Sequence, residues 1–166
     1  MRLSLALAFL FFIGSCFGWV LELLYRNLTH RHKKWINPGF CTGPYLPIYG
    51  FGTCTLYLLC SAERYIAIDN VFLRKLVLYL LMTLCMTLIE YIAGLIFVVG
   101  LKTKLWDYSD EKFNLQGIIC LKFSLLWAVA GAVYDLLVHP LLCDLLVWFD
   151  ANSPFVFVLG SVFGIF

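Results

Sequence analysis

Residues 37–52 read N-P-G-F-C-T-G-P-Y-L-P-I-Y-G-F-G, and they hold three of the chain's five prolines and four of its twelve glycines. Proline removes a backbone N–H donor and glycine releases the backbone from helical geometry, so the stretch predicts a break in regular structure. Because 63% of the chain is hydrophobic, this break enters apolar surroundings. Non-helical backbone at membrane depth persists only where it is buried in protein or lines a wet cavity. The stretch therefore indicates a site.

The rest of the chain has the composition of an integral membrane protein. Only 13% of its 166 residues are charged, its mean hydropathy is +0.91, and its apolar runs reach the roughly 20 residues that a bilayer span needs. A net charge of +2, without a basic face interleaved with aromatic residues, gives no support for nucleic-acid binding. We therefore expect a single all-α transmembrane bundle over residues 1–166.

The hydrophobic runs and the residues that interrupt them predict about five helices. Gly14 and Gly18 form a G-x-x-x-G step, which either allows close helix packing or reflects the abundance of small residues in membrane helices. Pro140, after His139, predicts a break or kink. We expect the first helix to stay uncleaved, since it remains apolar where a mature lipoprotein would turn polar. The expected helices cover residues 3–25, 47–65, 72–100, 117–139 and 153–166, to within a few residues.

The cysteines and the usual catalytic motifs point away from metal and cofactor chemistry. The seven cysteines include no C-x-x-C pair and lie mostly within apolar runs, where thiols pack as small hydrophobic groups. The sequence contains no H-E-x-x-H, no G-x-S-x-G and no P-loop motif. We therefore predict no metal site, no cofactor and no catalytic residue set.

Alternation of helices across a membrane groups the loops by side. Loop 1 (residues 26–34) and loop 3 (residues 101–116) must share one face of a five-helix bundle. These loops contain more Lys and Arg than the opposite face, so the positive-inside rule predicts that they are cytoplasmic. Glu22 and Glu90 lie on the half of the bilayer nearest these loops. The sequence thus predicts a polar site that opens toward loops 1 and 3.

Glu90 is the costliest residue to place in a membrane. It lies between Leu88, Ile89, Tyr91 and Ile92, where a carboxylate costs about 2.5–3.5 kcal/mol on insertion scales. It should therefore be paired, protonated or exposed to a polar cavity. One interpretation is ion or proton coupling, or contact with a ligand, and the alternative is a structural hydrogen bond to a neighbouring helix.

Glu22 is closer to the end of its helix and has a simpler alternative. It lies four residues before Arg26, so the two could form an ordinary pair on one helix face. Tyr45 and Tyr49 are also four apart, and they would share a face if the second helix already began at Tyr45. Both tyrosines are candidate hydrogen-bond partners for Glu22 or for Glu90.

Loop 3 contains the segment Trp106-Asp107-Tyr108, in which a carboxylate stands between two amphipathic rings. This pattern is typical of a membrane-interface belt with a solvated acid. The alternative is that Asp107 and Asn114 fold back over the glycine- and proline-rich stretch. Lys122, at the start of the next helix, can extend its side chain toward loop 3.

Asp135 and His139 lie four residues apart near the opposite membrane surface. They could form a proton relay, and a satisfied interfacial pair is the simpler interpretation.

Six motifs, distributed in order over most of the chain, resemble a family of bacterial membrane proteins named ABC-transporter type IV, CmpB type. They are G-W-V-L-E (18–22), the stretch 37–52, I-E-Y-I-A-G (89–94), W-D-Y-S (106–109), F-N-L-Q-G (113–117) and H-P (139–140). The resemblance implies a role in transport. The sequence contains no nucleotide-binding domain and no E-A-A-type coupling loop, so no motif indicates an ATPase partner. The resemblance implicates Trp19, Glu22, Asn37, Gly39, Gly43, Pro44, Tyr45, Pro47, Tyr49, Gly50, Glu90, Tyr91, Gly94, Trp106, Asp107, Tyr108, Asn114, Gly117, His139 and Pro140.

Three functions remain open from the sequence. The first is a small transporter or permease-like accessory subunit, with the lipid bilayer, other membrane subunits or an ATPase as partners. The second is a membrane enzyme for a lipid-like substrate, with Glu90 and Asp107 as acid and base, and the third is a structural or regulatory partner of other membrane proteins. The candidate ligand- or ion-coupling residues are Glu90, Glu22, Asp107, Tyr45, Tyr49, Asn37, Asn114 and Tyr108. The candidate structural residues of the stretch are Gly39, Gly43, Pro44, Pro47, Gly50 and Gly52.

Overall fold

The structure is a computed structural model that describes residues 3–29 and 41–152. This part of the chain is helical except for its loops and one short hairpin. The elements are α1 (Leu3–Thr29), α2 (Pro47–Ala62) with a 3-10 turn (Glu63–Tyr65), α3 (Val71–Leu95) with a π-turn (Ile96–Gly100), β1 (Asn114–Leu115), β2 (Ile119–Cys120), α4 (Leu121–Val133), a π-turn (Tyr134–Val138) and α5 (His139–Asn152).

Three helices among the described residues are long and apolar enough to cross a membrane: Leu3–Leu28, Val71–Gly100 and Leu121–Asn152. With 16 residues, α2 is shorter and extends over about 24 Å. The predicted fifth helix, residues 153–166, lies outside the described residues. The membrane character and the helical class of the prediction are therefore confirmed, and the count of five helices stays a prediction.

Small residues allow α1 and α2 to pack closely as an antiparallel pair. A side chain at Gly14 would occupy the position of Thr53, and one at Gly18 would occupy the position of the Tyr49 ring. On the α2 side, Gly50 lies against Ser15 and Phe11 of α1. Gly14 and Gly18 thus face α2 directly, and of the two interpretations of this step the structure supports close helix packing.

The glycine- and proline-rich stretch is only partly described. Residues 41–46 are non-helical, and Pro47 is at the start of α2, where its missing N–H leaves no unsatisfied donor. The Leu46 N–H donates to the Ser15 carbonyl at 3.0 Å, so this irregular backbone lies against the middle of α1. Asn37 and Gly39 lie outside the described residues.

One face of α3 is buried at every fourth residue, and it runs along the centre of the bundle. Asn70 caps the helix by accepting the Leu73 N–H at 3.1 Å. Gly131 of α4 lies against Met82, and Gly52 of α2 lies against Met86. The buried positions of α3 are Leu78, Met82, Met86, Glu90 and Gly94.

The helix predicted for residues 117–139 differs from the structure at both ends. It begins at Leu121 rather than near Gly117, because residues 114–120 form the β1–β2 hairpin, with Asn114 paired to Cys120. At its other end the break that Pro140 could cause is wrong, since α4, the π-turn and α5 form one continuous helix to Asn152. The alternative, a kink at Pro140, stays a prediction. The π-turn before Pro140 loosens the helix locally, and this can accommodate the proline ring without ending the helix.

Candidate functional site

Glu90 lies on the buried face of α3, with 6% of its surface exposed. Its carboxylate accepts hydrogen bonds from the Tyr108 hydroxyl at 3.0 Å and from the Trp127 indole N–H at 2.9 Å. Tyr108 comes from loop 3 and Trp127 from α4, so the carboxylate joins three separate segments. Both donors are neutral groups.

Contacts of loop 3 with the β1–β2 hairpin, α3 and α4 hold Tyr108 over Glu90. The Trp106 indole N–H donates to the Ile118 carbonyl at 2.8 Å, and Gly94 leaves room on α3 for both of these residues. The Tyr108 ring stacks on Phe123 at 4.4 Å between centroids. Burial, together with the charge of Glu90, raises the pKa of the Tyr108 phenol far above its ordinary value. Tyr108 therefore remains a hydrogen-bond donor at any physiological pH.

Glu22 forms a second carboxylate cluster on the same side. It accepts from Arg26 at 2.8 Å, as the helical spacing predicts, and also from the Tyr49 hydroxyl at 3.0 Å. Tyr49 reaches Glu22 because its ring lies over Gly18, where a side chain would displace it. Glu22 is thus paired within α1 and bonded to α2 at the same time.

The two clusters adjoin one another. The Tyr49 phenol lies within electrostatic range of both Glu22 and Glu90, and Tyr108 lies within range of Tyr49. The structure therefore brings together four residues that the sequence singled out: Glu22, Tyr49, Glu90 and Tyr108. We call these four, with Trp127, the Glu90 cluster.

Asp107 and Asn114 are used within loop 3. Asp107 is exposed, pairs with Lys104 at 2.8 Å and accepts from the Ser109 N–H and hydroxyl. Hydrogen bonds from Lys104 and Ser109 lower the pKa of Asp107 to about 2. The Asn114 amide donates to the carbonyls of Ser109 and Glu111.

The remaining side-chain bond of Asn114 also stays in this loop. Its side-chain oxygen accepts the Gly117 N–H at 3.2 Å, and Gly117 has a positive φ of +67°. These bonds shape the loop that presents Tyr108. They join Asp107 and Asn114 to residues of loop 3 and its hairpin, and none of them joins these two residues to the glycine- and proline-rich stretch.

Tyr45 precedes α2, which begins at Pro47 as predicted, so the condition for a face shared by Tyr45 and Tyr49 is not met. It therefore does not share a helical face with Tyr49. Its ring lies against Gly43, and a hydrogen bond with Cys41 raises the pKa of its phenol. Of the two candidate tyrosines, Tyr49 is the one that reaches a carboxylate.

The pairing predicted for Asp135 and His139 is wrong. Asp135 accepts from Lys75 at 2.7 Å and from the Tyr79 hydroxyl at 3.0 Å, both on α3. The His139 ring instead lies near the rings of Tyr57 and Tyr134. An ammonium and a phenol on α3 lie within hydrogen-bond distance of the Asp135 carboxylate, so its acceptor capacity is used by another helix.

The sequence analysis did not identify two residues that bond to buried or partly buried carboxylates: Trp127, which bonds to Glu90, and Lys75, which bonds to Glu63 and Asp135. Trp127 was not considered as a donor to Glu90, although an indole N–H within an apolar helix needs an acceptor. Lys75 was not among the candidate residues, although α2 and α3 are joined by a short loop that brings Glu63 to within 2.8 Å of it. Within residues 3–29 and 41–152 no group of three or more His, Cys, Asp or Glu side chains could hold a metal ion.

Of three comparisons with known proteins, one gives a match. Neither a curated protein sequence nor a solved structure matches this chain. A family model described as "Putative ABC-transporter type IV" matches residues 9–166, which include every element of the Glu90 cluster. Since that match covers nearly the whole chain, the protein belongs to this ABC-transporter type IV family.

Proposed function

We propose that this chain is a small membrane transport subunit in which Glu90 binds a proton or a small cation. The site would be reached from the face of loops 1 and 3, and loop 3 would form its cover. The observation behind the proposal is a buried carboxylate, on a helix long enough to span a membrane, that is hydrogen-bonded by two neutral donors.

The energetics favour an exchangeable positive partner. A carboxylate at this depth costs about 2.5–3.5 kcal/mol, and two neutral hydrogen bonds offset that cost without removing its negative charge. A proton or a bound cation neutralises the charge directly. Ionisable residues of this kind in membrane helices mark proton and ion pathways more often than they serve packing alone.

The surrounding residues fit the same role. Glu22 and Arg26 lie on the same side and would provide a charged entrance, while Tyr49 lies between the two carboxylates. The excess of Lys and Arg in loops 1 and 3 supports a cytoplasmic opening of the site. An ATPase or other membrane subunit would be the partner that the family description implies.

Infrared difference spectroscopy of the purified protein in lipid nanodiscs tests the proposal. Titration with acid, and separately with Na⁺ or K⁺, should change the carboxyl stretching bands of wild-type protein. Glu90→Gln should remove the part of that change that comes from Glu90 and keep the bands of the exposed carboxylates, whereas Glu22→Gln should preserve the Glu90 part. A spectrum of Glu90→Gln identical to wild type in all titrations would exclude Glu90 as the binding group.

A second experiment separates coupling from a purely structural role. If Glu90 only anchors loop 3, Tyr108→Phe and Glu90→Gln should have the same effect on an acid-induced proton uptake by the protein. If Glu90 binds the proton, Glu90→Gln should abolish that uptake, and Tyr108→Phe should retain it with a shifted midpoint because the carboxylate loses one donor.

A further inference from the structure

A second polar cluster lies at the opposite end of the bundle from the Glu90 cluster. Lys75, near the start of α3, pairs with Glu63 at 2.8 Å and with Asp135 at 2.7 Å. Tyr79 also donates to Asp135, and the Cys60 thiol lies 3.6 Å from it. We call these five residues the Lys75 cluster.

The Lys75 cluster joins three elements that are distant in sequence. Glu63 belongs to the 3-10 turn after α2, Lys75 and Tyr79 belong to α3, and Asp135 belongs to the π-turn Tyr134–Val138. The Asp135 side chain is 6% exposed, so its ion pair with Lys75 is largely shielded from water. A shielded pair is strongly destabilised when one partner is lost, because the other is left as an uncompensated charge.

Asp135 lies in the π-turn between α4 and α5, where this continuous helix is easiest to bend. The five residues of its π-turn interrupt the α-helical hydrogen-bond ladder, and Pro140 directly after it lacks a donor for that ladder. Beyond this point, in the described part of the chain, α5 packs on the bundle through buried Leu142 and Leu146 and partly buried Leu145. Its Phe149 ring stacks on Phe9 of α1 at 4.3 Å.

We propose that the Lys75 cluster is an ionic latch that holds α5 against the bundle, with the π-turn and Pro140 as its hinge. While Lys75 is bonded to Asp135, the hinge is fixed to α3, and α5 lies across the start of α1. When this pair opens, α5 moves away from α1 as a unit. The inference concerns a different end of the molecule from the proposed function and does not depend on what Glu90 binds.

Hydrogen exchange of the full chain in nanodiscs, read by mass spectrometry, tests the latch. Asp135→Asn keeps the side-chain shape and leaves Lys75 paired with Glu63, so no charge is orphaned. We expect amide exchange in residues 139–152 to rise about tenfold or more, since local opening of a segment depends on the contacts that hold it. Exchange over residues 14–25 of α1 should stay within about twofold of wild type, because this part packs on the start of α2 through Gly14 and Gly18, away from Asp135 and Phe9.

Two matched variants complete the test. Asp144→Asn removes the same charge from an exposed position of α5 and should leave exchange unchanged. Lys75→Gln opens the latch from the α3 side and leaves the shielded Asp135 without a cation, so exchange in residues 139–152 should rise at least as much as in Asp135→Asn. This variant keeps the test available if Asp135→Asn does not insert. Unchanged exchange in residues 139–152, or an equal rise over all helices, would overturn the proposal.

Discussion

Removing the Tyr108 hydroxyl tests directly how loop 3 is held on the bundle. Tyr108→Phe deletes the 3.0 Å hydrogen bond to Glu90 and keeps the ring that stacks on Phe123. A hydrogen bond to a charged group contributes about 1.5–3 kcal/mol, and one between neutral groups about 0.5–1.5 kcal/mol. The free energy of unfolding should therefore fall by the larger amount if Glu90 is ionised and by the smaller amount if it is protonated.

The assay is reversible unfolding in mixed detergent micelles, with Tyr91→Phe as the matched control. Tyr91 is the neighbour of Glu90 in sequence, and its hydroxyl contacts the exposed Gln116 at 3.3 Å, so its removal should cost less than about 0.5 kcal/mol. In a double-mutant cycle, Glu90→Gln should reduce the cost of Tyr108→Phe, because the two groups interact. A cost equal to that of Tyr91→Phe, with no coupling to Glu90, would refute the role of this hydrogen bond.

The remaining predictions concern the packing and the loop. Gly18→Ala should displace the Tyr49 ring and cost about 1–3 kcal/mol of unfolding free energy, as overpacking does; a neutral result in the same micelle assay would contradict the packing. Carboxyl NMR should give Asp107 a midpoint near pH 2. Since this pKa is depressed in the fold, the stabilisation of loop 3 by Asp107 is present above its ordinary pKa and is lost as pH falls toward 2. Lys104→Ala should raise the midpoint, and an unmoved midpoint would exclude Lys104 as the cause.

Most helix positions were predictable, because the apolar runs and the prolines and glycines that interrupt them determine where the helices lie. The apolar runs predicted α1 and α3 within a few residues, and Pro47 marked the start of α2. The sequence could not decide between a break and a continuation at Pro140, because a proline clashes with the preceding turn of a helix unless a π-turn relieves the clash, and no sequence signal marks a π-turn. The β1–β2 hairpin was missed for a related reason, since two-residue strands have no periodicity to detect.

For the candidate site, too, the sequence indicated some residues and left their partners open. Glu90, Glu22 and Tyr108 could be found because a charge or phenol in an apolar chain is conspicuous. Their actual partners depend on tertiary packing, such as the space over Gly18 that directs Tyr49 to Glu22. Trp127 was inconspicuous because tryptophan is common in membrane helices. The partners of Asp135 could not be predicted, because Lys75 and Tyr79 lie on another helix and only the packing brings them together.

The continuity of α3 mechanically connects the two ends of the molecule. Lys75 and Glu90 are fifteen residues apart on one unbroken helix, which separates them by about 22 Å along the axis and about 60° around it. A rigid helix transmits torsion, so any turn of α3 that withdraws Glu90 from Tyr108 and Trp127 also swings Lys75 relative to Asp135. If Glu90 binds a proton or a cation as proposed above, this geometry would convert its occupancy into an angular displacement of Lys75 at the other end of α3.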